Sequence, residues 1–164
     1  MLRKILVPIA FSTYSKGIVG YAYSLAKPLD ATLLIANVVN ERSLEAIEKV
    51  SGHGYKVDAD KYIATLQKER IAQLEQIIAE LGIADDDFDY TLLVGDPSTE
   101  LLRLVVRDEI DMVVMGTKTR ELRHFFTGSV AERMFRRCPA PITFYRDNDI
   151  AQELERKIYK EMDY

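Results

Sequence analysis

The sequence predicts a doubly wound α/β fold, and three observations carry that prediction. Five short apolar runs, several rich in β-branched residues, are spaced along the chain, as expected of strands buried on both faces. Amphipathic stretches of helical period separate them, which implies right-handed crossovers and a largely parallel sheet. With 164 residues and 48% hydrophobic content, the chain can bury one continuous core. We therefore expect one domain with a five-stranded, mostly parallel sheet and helices on both faces.

The first strand is predicted at residues 5–9, an unbroken apolar run. From Ser12, apolar residues recur at steps of three and four until Lys27 and Pro28 end the pattern, which predicts a helix that stops before the proline. Residues 32–39 form a second apolar run and predict a second buried strand.

The middle of the chain holds the clearest helix. Residues 40–57 predict one or two helical turns at most, whereas residues 58–81 carry an apolar stripe opposite a charged face, with Gly82 as the stop signal. Residues 88–94 alternate in part between apolar and polar side chains. This pattern is typical of a strand near the edge of a sheet.

Asp96 and Pro97 mark the start of the next helix, because aspartate is a preferred N-cap and proline suits the first helical position. Residues 111–116 predict a central strand. A last helix of the domain at residues 129–137 and a fifth strand at residues 142–145 complete the alternation.

The tail predicts a separate helix. Residues 1–146 are interpreted as the domain and residues 147–164 as a C-terminal helical extension, with a capping box that begins at Asp149. Its apolar ridge can pack across a partner subunit, back on the domain or against another protein, because a lone helix of this length is marginal without a surface to cover. The ridge consists of Ile150, Leu154, Ile158 and Met162.

Composition excludes several classes of protein. The formal net charge is −4, so no basic field exists to attract nucleic acid. No apolar stretch approaches the ~20 residues of a membrane helix, and the N-terminus lacks a signal-peptide core. Cys138 is the only cysteine, which excludes an internal disulfide and fits a reducing compartment. We therefore expect a cytoplasmic protein that contacts neither nucleic acid nor membrane.

The loop between the fourth strand and the following helix is a candidate anion site. Gly116 permits a close backbone turn, and Gly128 and Ser129 would present N–H groups at the positive end of a helix. Arg120 is the basic residue here that we single out for phosphate oxygens. The alternative is a plain helix cap, because Ser129 and Glu132 have the spacing of a capping box.

Taken in order, several segments resemble the universal stress protein family, and the resemblance covers most of residues 2–146. These segments are Arg3-Lys4-Ile5-Leu6-Val7-Pro8, Gly95-Asp96-Pro97, Asp111-Met112-Val113-Val114-Met115-Gly116, Thr127-Gly128-Ser129-Val130-Ala131-Glu132 and Cys138-Pro139-Ala140-Pro141-Ile142. Family members that bind ATP carry Gly, two residues, Gly, nine residues, Gly, then Ser or Thr.

This sequence departs from that motif in two places. Thr119 stands where the middle glycine is expected, and only the eight residues 120–127 precede Gly128. In the loop after the first strand, Ala10 replaces an aspartate that contacts the nucleoside in ATP-binding relatives. Loss of one such side-chain hydrogen bond weakens binding by about 1 kcal/mol.

The resemblance implies a non-enzymatic regulatory protein of the stress response that binds ATP or AMP, here weakly or in altered geometry. It also implies a homodimer paired through the edge strand at residues 142–145, and leaves any further protein partner unknown. The expected nucleotide-binding residues are Pro8, Ile9, Ala10, Val38, Met115, Gly116, Thr117, Arg120, Gly128, Ser129 and Val130.

Two other functions compete with this interpretation. A dimeric interaction module without a nucleotide is favoured by Ala10, Thr119 and the short loop. An ATP-hydrolysing enzyme ranks last, because we find no clear base and no paired carboxylates for Mg²⁺. Two histidines far apart in sequence do not predict a metal site. Cys138 is interpreted as a half-buried structural thiol rather than a reactive one.

Overall fold

The computed structural model describes residues 2–42, 59–117 and 130–162, and it confirms the predicted fold class. Every strand pairs in parallel with its neighbours. The strand order is β3-β2-β1-β4-β5, so the first strand lies at the centre and the order reverses between β1 and β4. The strands are β1 (Lys4–Pro8), β2 (Thr32–Asn40), β3 (Phe88–Gly95), β4 (Met112–Gly116) and β5 (Ile142–Tyr145).

Five helices of the described residues follow or connect the strands. They are α1 (Ser15–Ala26), α2 (Ala59–Leu81), α3 (Pro97–Arg107), α4 (Val130–Arg137) and α5 (Asn148–Met162). Short 3-10 turns lie at Lys27–Leu29 and Asp85–Asp87. Two predicted helix boundaries are confirmed directly: the Asp96 carboxylate accepts a hydrogen bond from the Thr99 N–H at the start of α3, and Gly82 takes a φ of +64° just after α2.

The sheet separates two apolar layers, because successive side chains of each strand point to opposite faces. On one face, Ile5 and Val7 of β1 pack with buried residues of α1 and α2. On the other face, Leu6 packs with buried residues of α3 and with Met134 of α4. The helix pairs therefore cover different faces, as a doubly wound fold requires.

Two helix starts differ from their predicted positions. Helix α1 begins at Ser15 rather than near Ser12, because residues 12–14 form a turn in which the Ser15 N–H donates to the Ser12 carbonyl at 3.0 Å. Phe11, just before this turn, takes a left-handed φ of +51°. Helix α5 begins at Asn148, ahead of the predicted cap at Asp149. The Asp147 carboxylate accepts a hydrogen bond of 2.9 Å from the Asp149 N–H instead.

The last strand closes onto the first helix. A Cβ on Gly17 would lie 2.7 Å from the Tyr145 hydroxyl oxygen, so only glycine lets the ring approach the α1 backbone this closely. The rings of Tyr21 and Tyr145 also lie 5.5 Å apart. Glycine and tyrosine together fix β5 against α1.

None of the helices built from the described residues is both long enough and apolar enough to cross a membrane.

Candidate functional site

The carboxyl ends of β1, β2 and β4 lie at the same edge of the sheet, because the strands are parallel. Ligands in such folds bind at this edge, where the strand order reverses. The reversal lies between β1 and β4, whose register pairs Ile5 with Met112 and Leu6 with Val113. The fold therefore brings together the predicted site residues that it describes. They are Pro8, Ile9, Ala10, Val38, Met115, Gly116, Thr117 and Val130.

Those residues divide between the two faces of the sheet. Met115 is buried beside α3 and α4, and Val38 and Val130 are half-buried against the same cluster. Ile9 instead belongs to the cluster on the α1 side. The α3–α4 face at this edge therefore carries an apolar wall of Val38, Met115 and Val130, to which Ile9 contributes no side chain.

The turn after β1 is held by a residue that our sequence reasoning missed. Asn37 is buried within an apolar strand, and its Nδ2 donates a hydrogen bond of 2.8 Å to the Ile9 carbonyl. The Ile9 N–H donates to the Ala36 carbonyl at 2.9 Å. A single asparagine inside an apolar run was the available signal, because a buried amide needs a partner.

Both backbone groups of Ile9 are thus bonded within the protein. The family resemblance places Ile9 among the expected nucleotide-binding residues. In this structure the N–H is occupied, and only the second lone pair of the carbonyl remains for a ligand. Ala10 is exposed and adds no polar side-chain group.

A second contact holds the same turn from α2. The Arg70 guanidinium lies 4.9 Å from the centre of the Phe11 ring, a cation–π distance. Phe11 is the residue with the left-handed φ. Arg70 and Asn37 therefore fix the β1 turn from two neighbouring elements.

Gly116 has a packing role that explains its presence without a ligand. A Cβ at this position would lie 2.6 Å from Ile18 Cδ1 of α1. A side chain here would therefore force Ile18 to move, whatever occupies the edge of the sheet. Its neighbour Thr117 is buried.

The start of α4 is tied to the start of α3. Arg133, in the first turn of α4, approaches Asp96 Oδ2 and the Ser98 hydroxyl at 3.1 Å each. The other Asp96 oxygen accepts hydrogen bonds from Ser98 Oγ, Thr99 N–H and Thr99 Oγ1. Arg133 was not among the predicted site residues, since an arginine inside a helix carries no distinctive sequence signal.

These contacts keep Asp96 ionised. Hydrogen bonds from the Ser98 and Thr99 hydroxyls, followed by the Thr99 N–H, hold the pKa of the Asp96 carboxyl far below its ordinary value, and the charge of Arg133 adds to the effect. The network fixes where the α4 N-terminus lies relative to the apolar wall. A helix N-terminus carries partial positive charge, which suits an anionic ligand.

Several predicted features lie outside the described residues. Arg120, Gly128 and Ser129 belong to residues 118–129, as do Thr119 and the shortened loop. Within the described ranges no group of three or more histidine, cysteine or acidic residues could hold a metal ion. Burial raises the pKa of the half-buried Cys138 thiol, which agrees with a structural role.

Three comparisons with known proteins agree with one another. The model of the universal stress protein family matches residues 1–146. A universal stress protein of Methanothermobacter thermautotrophicus is 23% identical over 146 residues, covering 89% of this chain and 97% of the relative.

Solved structures show the same fold. The universal stress protein UspA from Lactobacillus plantarum superposes with a TM-score of 0.67 at 17% identity, covering 88% of this chain and 97% of that one. A universal stress protein in complex with cAMP superposes with a TM-score of 0.61 at 18% identity and the same coverage.

Proposed function

Because the chain belongs to the universal stress protein family, we propose that it is a non-enzymatic regulatory protein that binds an adenine nucleotide. ATP or AMP lies at the carboxyl edge of the sheet, between the β1 turn and the start of α4. Binding is weak or differs in geometry from that of the ATP-binding members. The protein acts as a homodimer in the stress response.

The observation that carries this proposal is the apolar wall at the strand reversal. Val38, Met115 and Val130 come from three different elements and belong to one apolar cluster on the same face, in which Met115 is buried and the two valines are half-buried. A flat base needs such a surface, and the nearby α4 N-terminus supplies partial positive charge for phosphate. Gly116 and Thr117 complete the edge, and Arg120, Gly128 and Ser129 are the proposed phosphate contacts.

The turn after β1 supports weak or altered binding. Ala10 offers no carboxylate, and the Ile9 N–H is already bonded to Ala36. Polar anchors for the base and ribose must therefore come from Pro8, from the second lone pair of Ile9 or from the backbone of Val38. A relative of the same fold is described in complex with cAMP, which supports an adenine ligand of some kind.

The edge strand β5 supports the homodimer. It pairs with β4 on one side, and it is the last strand in the sheet order. Beside it, the Phe135 ring is 72% exposed and lies 6.5 Å from the Phe144 ring. No strand of residues 2–42, 59–117 or 130–162 pairs with the outer edge of β5, and such an edge next to exposed aromatic surface is a ready site for a second chain. We place the dimer in the cytoplasm, because its single cysteine needs no oxidising compartment.

Titration calorimetry with ATP and AMP tests the nucleotide proposal. Gly128→Asp should abolish binding, because a carboxylate repels phosphate at the proposed contact, and circular dichroism should show an unchanged fold. Ala79→Glu, exposed near the C-terminal end of α2 and therefore at the opposite edge of the sheet, makes the same charge change away from the site and should bind as the wild type does. Equal binding by Gly128→Asp and wild type would refute the site. A wild-type rate of ATP hydrolysis above the buffer background would refute the non-enzymatic part.

A ligand-free interaction module is the second candidate, and the internal bonding of both Ile9 backbone groups favours it. Native mass spectrometry of the purified protein separates the two. A co-purified nucleotide supports the first function, whereas an empty dimer that does not take up added ATP or AMP supports the second.

A further inference from the structure

An exposed groove with an apolar floor and a basic rim lies along the outer side of α3. Leu102 is half-buried and Val106 is 68% exposed on its floor. Arg103, Arg107 and Arg137 form its rim, and the groove has a volume of about 570 Å³. The arginines pair with nearby carboxylates at Glu100 and Asp108, yet the arginine side chains are the more exposed members of both pairs.

The tail helix α5 has the complementary surface. It contains no buried residue, and Ile158 and Met162 on its apolar ridge are 57% and 69% exposed. Residues 147–155 carry four carboxylates and no basic residue, and one of the four, Glu153, pairs with Lys157 at 2.7 Å. The start of this helix is thus an apolar strip flanked by negative charge, and the groove is an apolar strip flanked by positive charge.

The short linker between β5 and α5 determines whether the helix can reach the groove of its own chain or that of the partner chain. Only Arg146 and Asp147 separate β5 from α5, so the helix starts at the sheet edge. In the proposed dimer, antiparallel pairing of the two β5 strands sets the end of one strand beside the start of the other. Arg137, on the groove rim, precedes the start of β5 by five residues. The α5 helix of one chain therefore emerges next to the groove of the second.

From these relationships we infer that α5 of each chain docks into the α3–α4 groove of the other, so that the tail clamps the dimer. The inference rests on the homodimer of the proposed function, not on nucleotide binding. Ile150 and Leu154 would lie against Leu102 and Val106, since all four keep exposed surface. The acidic side chains would lie along the arginine rim.

The first test uses full-length chains in sedimentation equilibrium. Leu154→Asp and, separately, Val106→Asp should each raise the dimer dissociation constant about tenfold or more, because each places a charge in an apolar contact. Gln152→Asp, on the opposite side of α5, is the matched control and should leave the constant within about threefold of wild type. Equal constants for Leu154→Asp and Gln152→Asp would overturn the inference.

The second test asks whether docking occurs between chains. Two differently tagged chains, both carrying Cys138→Ala, are co-expressed and then oxidised. One chain also carries Val106→Cys, and the other carries Leu154→Cys. A disulfide-linked heterodimer supports the inference, and replacing Leu154→Cys by Arg156→Cys on the opposite side should remove the product. Absence of the heterodimer overturns the inference. The inference also fails if a single chain that carries both Val106→Cys and Leu154→Cys forms only an internal disulfide.

Failure of the proposed function is distinguishable from failure of this inference. A linked dimer that binds no nucleotide overturns nucleotide binding and leaves the tail clamp standing. A chain that binds nucleotide but stays monomeric, or a dimer without the link, overturns the clamp and leaves nucleotide binding intact.

Discussion

Asn37 Nδ2 donates a buried hydrogen bond of 2.8 Å to the carbonyl of Ile9, joining the second strand to the turn that follows the first. Together with the bond from the Ile9 N–H to Ala36 and the contact of Arg70 with Phe11, this bond fixes the backbone at the edge where we place the nucleotide. It also occupies one lone pair of the carbonyl of Ile9, a residue that the family resemblance assigns to the ligand. The same residue therefore bears on both stability and function.

Asn37→Leu should lower the free energy of unfolding by about 1–3 kcal/mol, because the buried Ile9 carbonyl loses its donor. Urea denaturation at pH 7 measures this. Asn148→Leu is the matched control, since Asn148 is exposed at the start of α5, and it should change stability by about 0.5 kcal/mol at most. A similar loss in both variants would contradict the role of Asn37.

Gly116→Ala should destabilise the protein by about 1–3 kcal/mol, because its Cβ would lie 2.6 Å from Ile18 Cδ1. Ile18→Val removes that methyl group and alone should cost about 0.5–1.5 kcal/mol. The double variant should lose less stability than the sum of the losses in the two single variants. Strict additivity in urea denaturation would show that the glycine is required for another reason.

Asp96 makes stability depend on pH in the acid range. Its folded-state pKa lies below the unfolded value of about 3.9, so the carboxylate stabilises the fold above that value and loses its effect as pH falls below it. The stability difference between wild type and Asp96→Ala should be about 1 kcal/mol at pH 7. It should remain at pH 5 and shrink below about pH 4. Denaturation curves at each pH test this, and a pH-independent difference would contradict it.

Cys138 should react slowly with alkylating agents at neutral pH. Burial raises the pKa of its thiol, so less thiolate is present than in an ordinary exposed cysteine. Iodoacetamide labelling followed by mass spectrometry should show slower modification at pH 7.5 than free glutathione undergoes. Urea should remove that protection. Faster labelling of the native protein than of glutathione would indicate a reactive thiol.

The arrangement of elements could be predicted because its signals are local. The apolar run before Pro8, the cap at Asp96 and the stop at Gly82 each act over a few residues, and each was confirmed. Asn37 was missed because its partner, Ile9, is distant in sequence and only the sheet brings them together. Arg133 was missed for the same reason, since its partners Asp96 and Ser98 belong to another helix.

The late start of α1 illustrates a different limit. The apolar spacing from Ser12 onward fits a helix, but residues 12–14 form a turn that follows the left-handed φ of Phe11. Phenylalanine carries no local preference for that conformation. Here the Phe11 ring contacts Arg70 of α2, a tertiary contact that the local sequence does not reveal.

The closure of Tyr145 over Gly17 has a consequence for synthesis on the ribosome. Tyr145 can pack against α1 only after β5 has emerged from the ribosome. The central strand β1 gains its second neighbour only when β4 has emerged. A nascent chain up to Gly95 can pair β1, β2 and β3, but it leaves one side of β1 unpaired. Such an intermediate is open to pairing with other chains, so ribosome stalling between β3 and β4 should be the stage most prone to aggregation.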